Sequence, residues 1–152
     1  MQKMMYKNLK IAVIVSLFNR PITAILQDGA IQRLLKYGVS NDNIVLITVP
    51  GAIEIPITAQ YIATKNTVDV IIALGAVIRG ETNHYDYVCQ QVSYGCQRVA
   101  LDHTLPVIFG ILTTDNETQA WERIGGIHGH KGIESADCAI DMYNIFQQGC
   151  KL

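Results

Sequence analysis

Four segments crowded with Val, Ile and Leu, at residues 11–17, 43–49, 68–74 and 106–112, set the architecture. Each is nearly continuous in apolar residues rather than alternating. That is the pattern of strands covered on both faces, as in a parallel sheet. Parallel strands need crossovers, and the stretches between the runs have helical character. Residues 21–37 place apolar side chains at Ile22, Ile25, Leu26, Ala30, Leu34 and Leu35. Pro21 suits a first helical turn there, and Gly38 a C-terminal cap. Residues 55–63 and 84–101 have the same character. After the fourth run, Thr114-Asp115-Asn116-Glu117 fits a capping box that opens a helix to Ile124, closed by Gly125-Gly126. A last helix is predicted over 132–146. The order βαβαβαβα plus a final helix predicts a three-layer α/β/α sandwich around a four-stranded parallel sheet with right-handed crossovers. One domain is expected over residues 1–152, with residues 1–10 as an N-terminal arm.

Composition narrows the function classes. Hydrophobic residues make up 49% of the 152 and charged residues 16%, against a usual charged share of about a quarter. Disorder is excluded, and either a large core or apolar surface covered by other subunits is expected. Twelve basic residues against thirteen acidic ones leave a net charge of −1, with Lys and Arg scattered singly. That is no footprint for nucleic acid. No apolar run approaches the ~20 residues of a membrane span, and no small-residue cleavage site follows the run at 11–17. Cys89, Cys96, Cys138 and Cys150 share no CxxC spacing. They read as reduced thiols, packed as small apolar side chains in a cytoplasmic protein.

In open α/β sheets ligands sit outside the carboxyl ends of the strands. Those ends hold nearly every unusual residue of the chain: Phe18-Asn19-Arg20, Pro50-Gly51-Ala52-Ile53-Glu54, the long segment Gly75 to His84, and Thr113-Thr114-Asp115. No GxGxxG, P-loop or GxSxG is present. The acidic strand ends of a phospho-receiver are missing too: the first strand ends in Phe-Asn and the third in Leu-Gly. Gly80-Glu81-Thr82 before a helix whose first turn holds His84 offers free amides and a hydroxyl to a phosphate. His84 beside that anion could move protons near neutral pH, or it could be a solvent-facing cap. Arg123 and Lys131 flank the turn Gly125-Gly126-Ile127-His128-Gly129-His130. Such a cation pair suits a phosphorylated or polyhydroxylated ligand, or simply a solvated helix end. His128 and His130 lack the acidic or Cys neighbours of a metal site, so no metal is expected. Glu54 reads as a ligand or as a first-turn acid. Phe18 reads as a stacking platform or as a core residue.

Five segments in order resemble the lumazine synthase family over about residues 11–146. They are Phe18-Asn19, Pro50-Gly51-Ala52-Ile53-Glu54-Ile55-Pro56, Gly75-Ala76-Val77-Ile78-Arg79-Gly80-Glu81-Thr82-Asn83-His84-Tyr85-Asp86-Tyr87, Pro106 through Thr114, and Gly129-His130-Lys131-Gly132. The resemblance implies a flavodoxin-like sandwich. It implies an enzyme of riboflavin biosynthesis that condenses 5-amino-6-ribitylaminouracil with 3,4-dihydroxy-2-butanone 4-phosphate, with no metal and no organic cofactor. By matching position, it implies that Phe18 stacks on the pyrimidine with Asn19 beside it. Ala52, Ile53 and Glu54 would line the ribityl chain, and Val77 and Ile78 the uracil edge. Glu81 and Thr82 would hold phosphate with Arg123 as clamp, and His84 would transfer protons. Phe109 and Lys131 would close the pocket from a neighbouring subunit.

The resemblance further implies a homopentamer or a larger icosahedral shell, and association with riboflavin synthase as a partner. The chain departs from the family pattern at Ile53, often aromatic, at His130, usually Asn, and in the short segment before Ile11. Two competing readings are a non-catalytic binder of ribityl-flavin compounds and the related archaeal-type riboflavin synthase. The intact Gly80 to His84 segment and Lys131 favour the synthase.

Overall fold

The computed structural model describes residues 5–149. Cys150 therefore lies outside the described residues. The four apolar runs form β1 (Ile11–Ser16), β2 (Ile44–Val49), β3 (Val70–Ile78) and β4 (Val107–Thr114). They make one parallel sheet in the order β2-β1-β3-β4. Helices α1 (Arg20–Tyr37), α2 (Glu54–Lys65), α3 (His84–His103) and α5 (Lys131–Gln147) cover it, with a short α4 (Glu117–Trp121) between β4 and a small hairpin.

The pleat sorts the core into two layers. Ile11, Val13 and Val15 of β1 face α1 and α5, where they meet Leu26, Leu34, Ala136 and Ile140. Ala12 and Ile14 face α2 and α3, where they meet Ile55, Ala59, Val92 and Cys96. The result is the expected α/β/α sandwich, with the flavodoxin-like strand order.

Burial on both faces holds fully for β1 only; β3 loses it at Val77 and Ile78, and β4 at alternate residues. β2 is an edge strand, and Val45 and Leu46 are exposed despite an equally apolar sequence. Residues 5–10 pack on their own chain. Leu9 is fully buried, and the Tyr6 ring stacks edge-on against Tyr37 and Tyr143.

Two expectations are corrected after β4. The helix predicted to Ile124 stops at Trp121, and β5 (Ile124–Gly126) turns back antiparallel on β6 (Gly129–His130). The turn is tight: a Cβ on Gly126 would lie 2.7 Å from the Glu122 Cα. The cap is not Thr114 but Asn116, whose side chain accepts the Gln119 amide at 2.8 Å. Gln119 in turn accepts the Asp115 amide at 2.8 Å. A variant of the capping box exists two residues further on than the sequence pattern placed it, with Gln119 reaching the amide before the cap rather than the cap's own.

Candidate active site

The strand order reverses direction between β1 and β3, which opens a crevice at their carboxyl ends. A cavity of about 400 Å³ lies there. Phe18, Ala52, Ile53, Glu54, Val77, Ile78, Thr82 and His84 all line it, joined by Gly80, Tyr85 and Val88. Eight of the residues singled out from sequence thus meet in one hollow. Tyr85 and Val88 were not anticipated; their signal was helical spacing, Val88 lying four residues beyond His84 and three beyond Tyr85 on α3.

The local backbone explains the placement. The Leu17 and Phe18 amides donate to the Val49 and Pro50 carbonyls at 2.8 and 3.0 Å, tying the exits of β1 and β2 together. Phe18 is left standing at the rim, 71% exposed. That separates the two readings of this residue: it is not a core phenylalanine. Asn19 follows in the left-handed region at φ 60°, which Asn tolerates better than most residues. Its Nδ2 donates to the Ala76 carbonyl at 2.9 Å. The side chain therefore joins β1 to β3, and Asn19 is not part of the cavity lining.

Glu54 Oε2 accepts the Gly51 amide at 2.9 Å, so the acid closes its own loop as well as facing the cavity. The Thr82 hydroxyl accepts the His84 amide at 3.4 Å, one residue ahead of the Asn83 cap of α3. Glu81 is exposed and outside the lining.

Arg79 holds this loop in shape. Its amide donates to the Thr114 carbonyl at 2.9 Å, and its guanidinium meets Asp115 at 2.9 Å and Asp86 at 3.4 Å. It also lies 4.3 Å over the Tyr85 ring. Hydrogen bonding to Asp115 raises its pKa further, so the charge is permanent. Burial raises the Tyr85 hydroxyl above its ordinary value, which keeps it neutral. Burial likewise pushes the Cys96 thiol up to about 11, and Cys89 upward too. Cys89, Cys96 and Cys138 are all free, and the raised thiols of Cys89 and Cys96 are poor nucleophiles.

The remaining residues line a different cavity, also about 400 Å³, on the far side of β4. Phe109, Arg123 and Lys131 meet there with Thr113, Thr114, His128 and Glu134. Arg123 donates to the Gln119 carbonyl at 2.8 Å, which aims the guanidinium, and it stands 3.9 Å from Glu122. The Lys131 amide donates to the Arg123 carbonyl at 2.8 Å. The two cations therefore flank the base of the β5–β6 hairpin, joined across it. His130 is half-buried, and its Nδ1 accepts the Ile133 amide at 3.3 Å as the cap of α5. Among the described residues no three His, Cys, Asp or Glu side chains form a metal-sized cluster. No helix among them is long and apolar enough to cross a membrane.

The chain is similar to known proteins over nearly its whole length. The family model described as 6,7-dimethyl-8-ribityllumazine synthase matches residues 8–147. Two relatives called 6,7-dimethyl-8-ribityllumazine synthase come from Coxiella burnetii strains CbuG_Q212 and RSA 493. Each is 49% identical over 139 residues, covering 91% of this chain and 92% of the relative.

Proposed function

The chain belongs to the 6,7-dimethyl-8-ribityllumazine synthase family, and from that premise we propose how its residues perform the condensation. The reaction joins 5-amino-6-ribitylaminouracil to 3,4-dihydroxy-2-butanone 4-phosphate and releases one phosphate and two waters. The pyrimidine lies on Phe18, with its uracil edge at Val77 and Ile78 and its ribityl chain along Ala52, Ile53 and Glu54. Binding the ribityl hydroxyls competes with the Gly51–Glu54 hydrogen bond. Thr82 and the amides around Glu81 hold the phosphate from one side, and Arg123 clamps it from the other. The 5-amino group attacks the ketone, water leaves and an imine forms. Loss of phosphate then generates an enol that tautomerises to a ketone. Attack by the ribitylamino nitrogen closes the ring as the second water leaves. His84 moves protons in these steps. The protein need only orient the partners, bind the anion and shuttle protons.

One observation carries this reading. Phe18 and His84 share one cavity while Phe109, Arg123 and Lys131 occupy another on the same chain. A complete site then takes its first half from one subunit and its second from a neighbour. Ring contacts of this heterologous kind suit a pentamer or a shell of pentamers. Ile57, Tyr61, Tyr87, Tyr94 and Leu101 of α2 and α3 are all more than half exposed, apolar surface for such contacts to cover. The enzyme works in the cytoplasm, and riboflavin synthase, which would consume the product, is its proposed partner. The family match and the relatives' names favour a synthase over a non-catalytic binder or an archaeal-type riboflavin synthase.

The first test is incubation with both substrates while following lumazine fluorescence; no product at saturation sinks the enzyme reading. The second is complementation. Phe18→Asp and Arg123→Ala, each nearly inactive when assayed at butanone phosphate far below KM, are unfolded, mixed equally, refolded together and assayed under that condition. A site works only when its first half comes from the Arg123 variant and its second from the Phe18 variant. Random assembly should restore about a quarter of wild-type activity. A co-assembled mixture no more active than its components refutes the shared site.

A further inference from the structure

We propose that His130 is a positioning residue for the phosphate clamp Arg123 and its backbone partner Lys131, an inference that rests on the assignment of Arg123 above. The imidazole is wedged at the meeting of three elements. It caps α5 through Nδ1, and the first residue of that helix is Lys131. It lies across β5–β6 from Ile124, the neighbour of Arg123. Its far edge rests on α1 at Gly29, where a Cβ would overlap Cε1 and come within 2.8 Å of Nε2.

Gly29 has no other account. A glycine inside a helix costs about 1 kcal/mol against alanine, and α1 has neither a kink residue nor a positive φ at this point. The glycine is there because the ring is. Gly132 repeats the pattern: a Cβ would lie 3.0 Å from Cε1 and overlap the Leu26 carbonyl. Gly125 leaves 3.6 Å to Cδ2. Gly29 and Gly132 thus form a seat for one side chain, while Gly125 is a turn glycine at φ 106° in ordinary contact with it.

The seat has a consequence for the site. Because Lys131 donates its amide to the Arg123 carbonyl, the two residues move together. His130 is the side chain that spaces this pair from α1 and fixes the first turn of α5. A smaller residue lets the hairpin base settle toward Gly29 and turns both cations. A side chain that can still accept the Ile133 amide preserves the turn even where it leaves the space beside Gly29 empty.

The test uses the full-length enzyme in five forms: wild type, His130→Ala, His130→Asn, Gly29→Ala, and Gly29→Ala with His130→Asn. Each substrate is varied at saturating concentration of the other, and melting temperature is measured in parallel. His130→Ala should raise KM for the butanone phosphate about tenfold, with kcat and the pyrimidine KM within about twofold. His130→Asn, which keeps a cap acceptor, should recover to within about threefold of wild type. Gly29→Ala should behave like His130→Ala, because its methyl evicts the ring. Combining it with His130→Asn should relieve most of that effect, since the shorter side chain vacates the space. Should His130→Ala fail to fold, the Gly29→Ala and double variants decide by the same ratio of KM values. A lower melting temperature with the KM ratio unchanged makes the ring merely structural and overturns the proposal. So does a harmless Gly29→Ala. Arg123→Ala is measured alongside. If it raises the phosphate KM and the His130 and Gly29 variants do not, this inference alone fails. If none of them does, the assignment of Arg123 fails with it.

Discussion

Gly95→Ala tests whether the α2–α3 contact sets the pyrimidine half of the site. In a free-standing helix the change should stabilise by about 1 kcal/mol. Here the new Cβ would lie 2.6 Å from Pro56 Cβ and 2.8 Å from Pro56 Cγ. Ordinary carbon contacts are about 3.5–4.0 Å, so roughly 1 Å of separation is required. The pyrrolidine ring cannot rotate away, and the helices must part instead. Overpacking of this kind costs about 1–3 kcal/mol. The net expectation is a loss between zero and about 2 kcal/mol. Pro56 is two residues beyond Glu54 and three beyond Ile53, both in the cavity lining. Moving α2 outward therefore shifts the ribityl-facing wall. KM for the pyrimidine should rise about three- to tenfold, with the butanone phosphate KM unchanged. Urea unfolding at fixed protomer concentration gives the stability change, and two steady-state titrations give the KM values. A variant about 1 kcal/mol more stable, with both KM values unaltered, would show that Pro56 and Gly95 do not touch.

Three further outcomes are expected. Arg123→Ala should raise the butanone phosphate KM about 30-fold, the equivalent of about 2 kcal/mol for a charge-assisted contact, and leave the pyrimidine KM nearly unchanged. Equal effects on both substrates would remove Arg123 as the phosphate ligand. His84→Ala should lower kcat by about 10²-fold, the low end for a proton-transfer group, while the pyrimidine still binds. Unchanged turnover across neutral pH refutes the role. Asp137 is subject to burial that raises its pKa, but bonds from Arg33 at 2.7 Å and Tyr37 at 2.8 Å outweigh this and hold it below the usual carboxylate range. Its stabilisation is present above that range and lost as pH falls through the lowered native value. The melting-temperature gap between wild type and Asp137→Asn should therefore close on acidification; a gap constant with pH contradicts the ion pair.

The sheet and its covering helices were legible because their signals are periodic and local. The runs at 11–17 and 68–74 became β1 and β3, with boundaries shifted by one to four residues. What differed was position within the sheet. β2 has the same apolar density as β1, yet it lies at the edge, and strand order is not written in any one strand. The capping box was recognised by residue type but misplaced, because Thr114 and Asn116 are both favoured cap types. Only the strand's extension to Thr114 decides between them. The β5–β6 hairpin was invisible for a related reason. Two or three residues per strand carry no period, and Gly125-Gly126 serves a helix stop and a tight turn alike.

The site divides along the same line. Residues that line the candidate cavity through the exits of β1, β2 and β3 were legible, since the fold gathers those loops at one edge wherever the strands are. Phe18, Glu54, Thr82 and His84 were placed at that edge by strand-end position, and their roles came from the family resemblance. The residues that hold the site in shape were not legible, because their partners lie far along the chain. Asn19 looked like a ligand and is tied to Ala76, 57 residues away. Arg79 sits in the most recognisable segment of the sequence, and its role depends on Asp115, 36 residues on. Gly29 and Gly95 look like faults in good helices until His130 and Pro56 are set against them. A glycine that disagrees with its own helix records the approach of something distant. In this chain two such glycines each border one half of the candidate site.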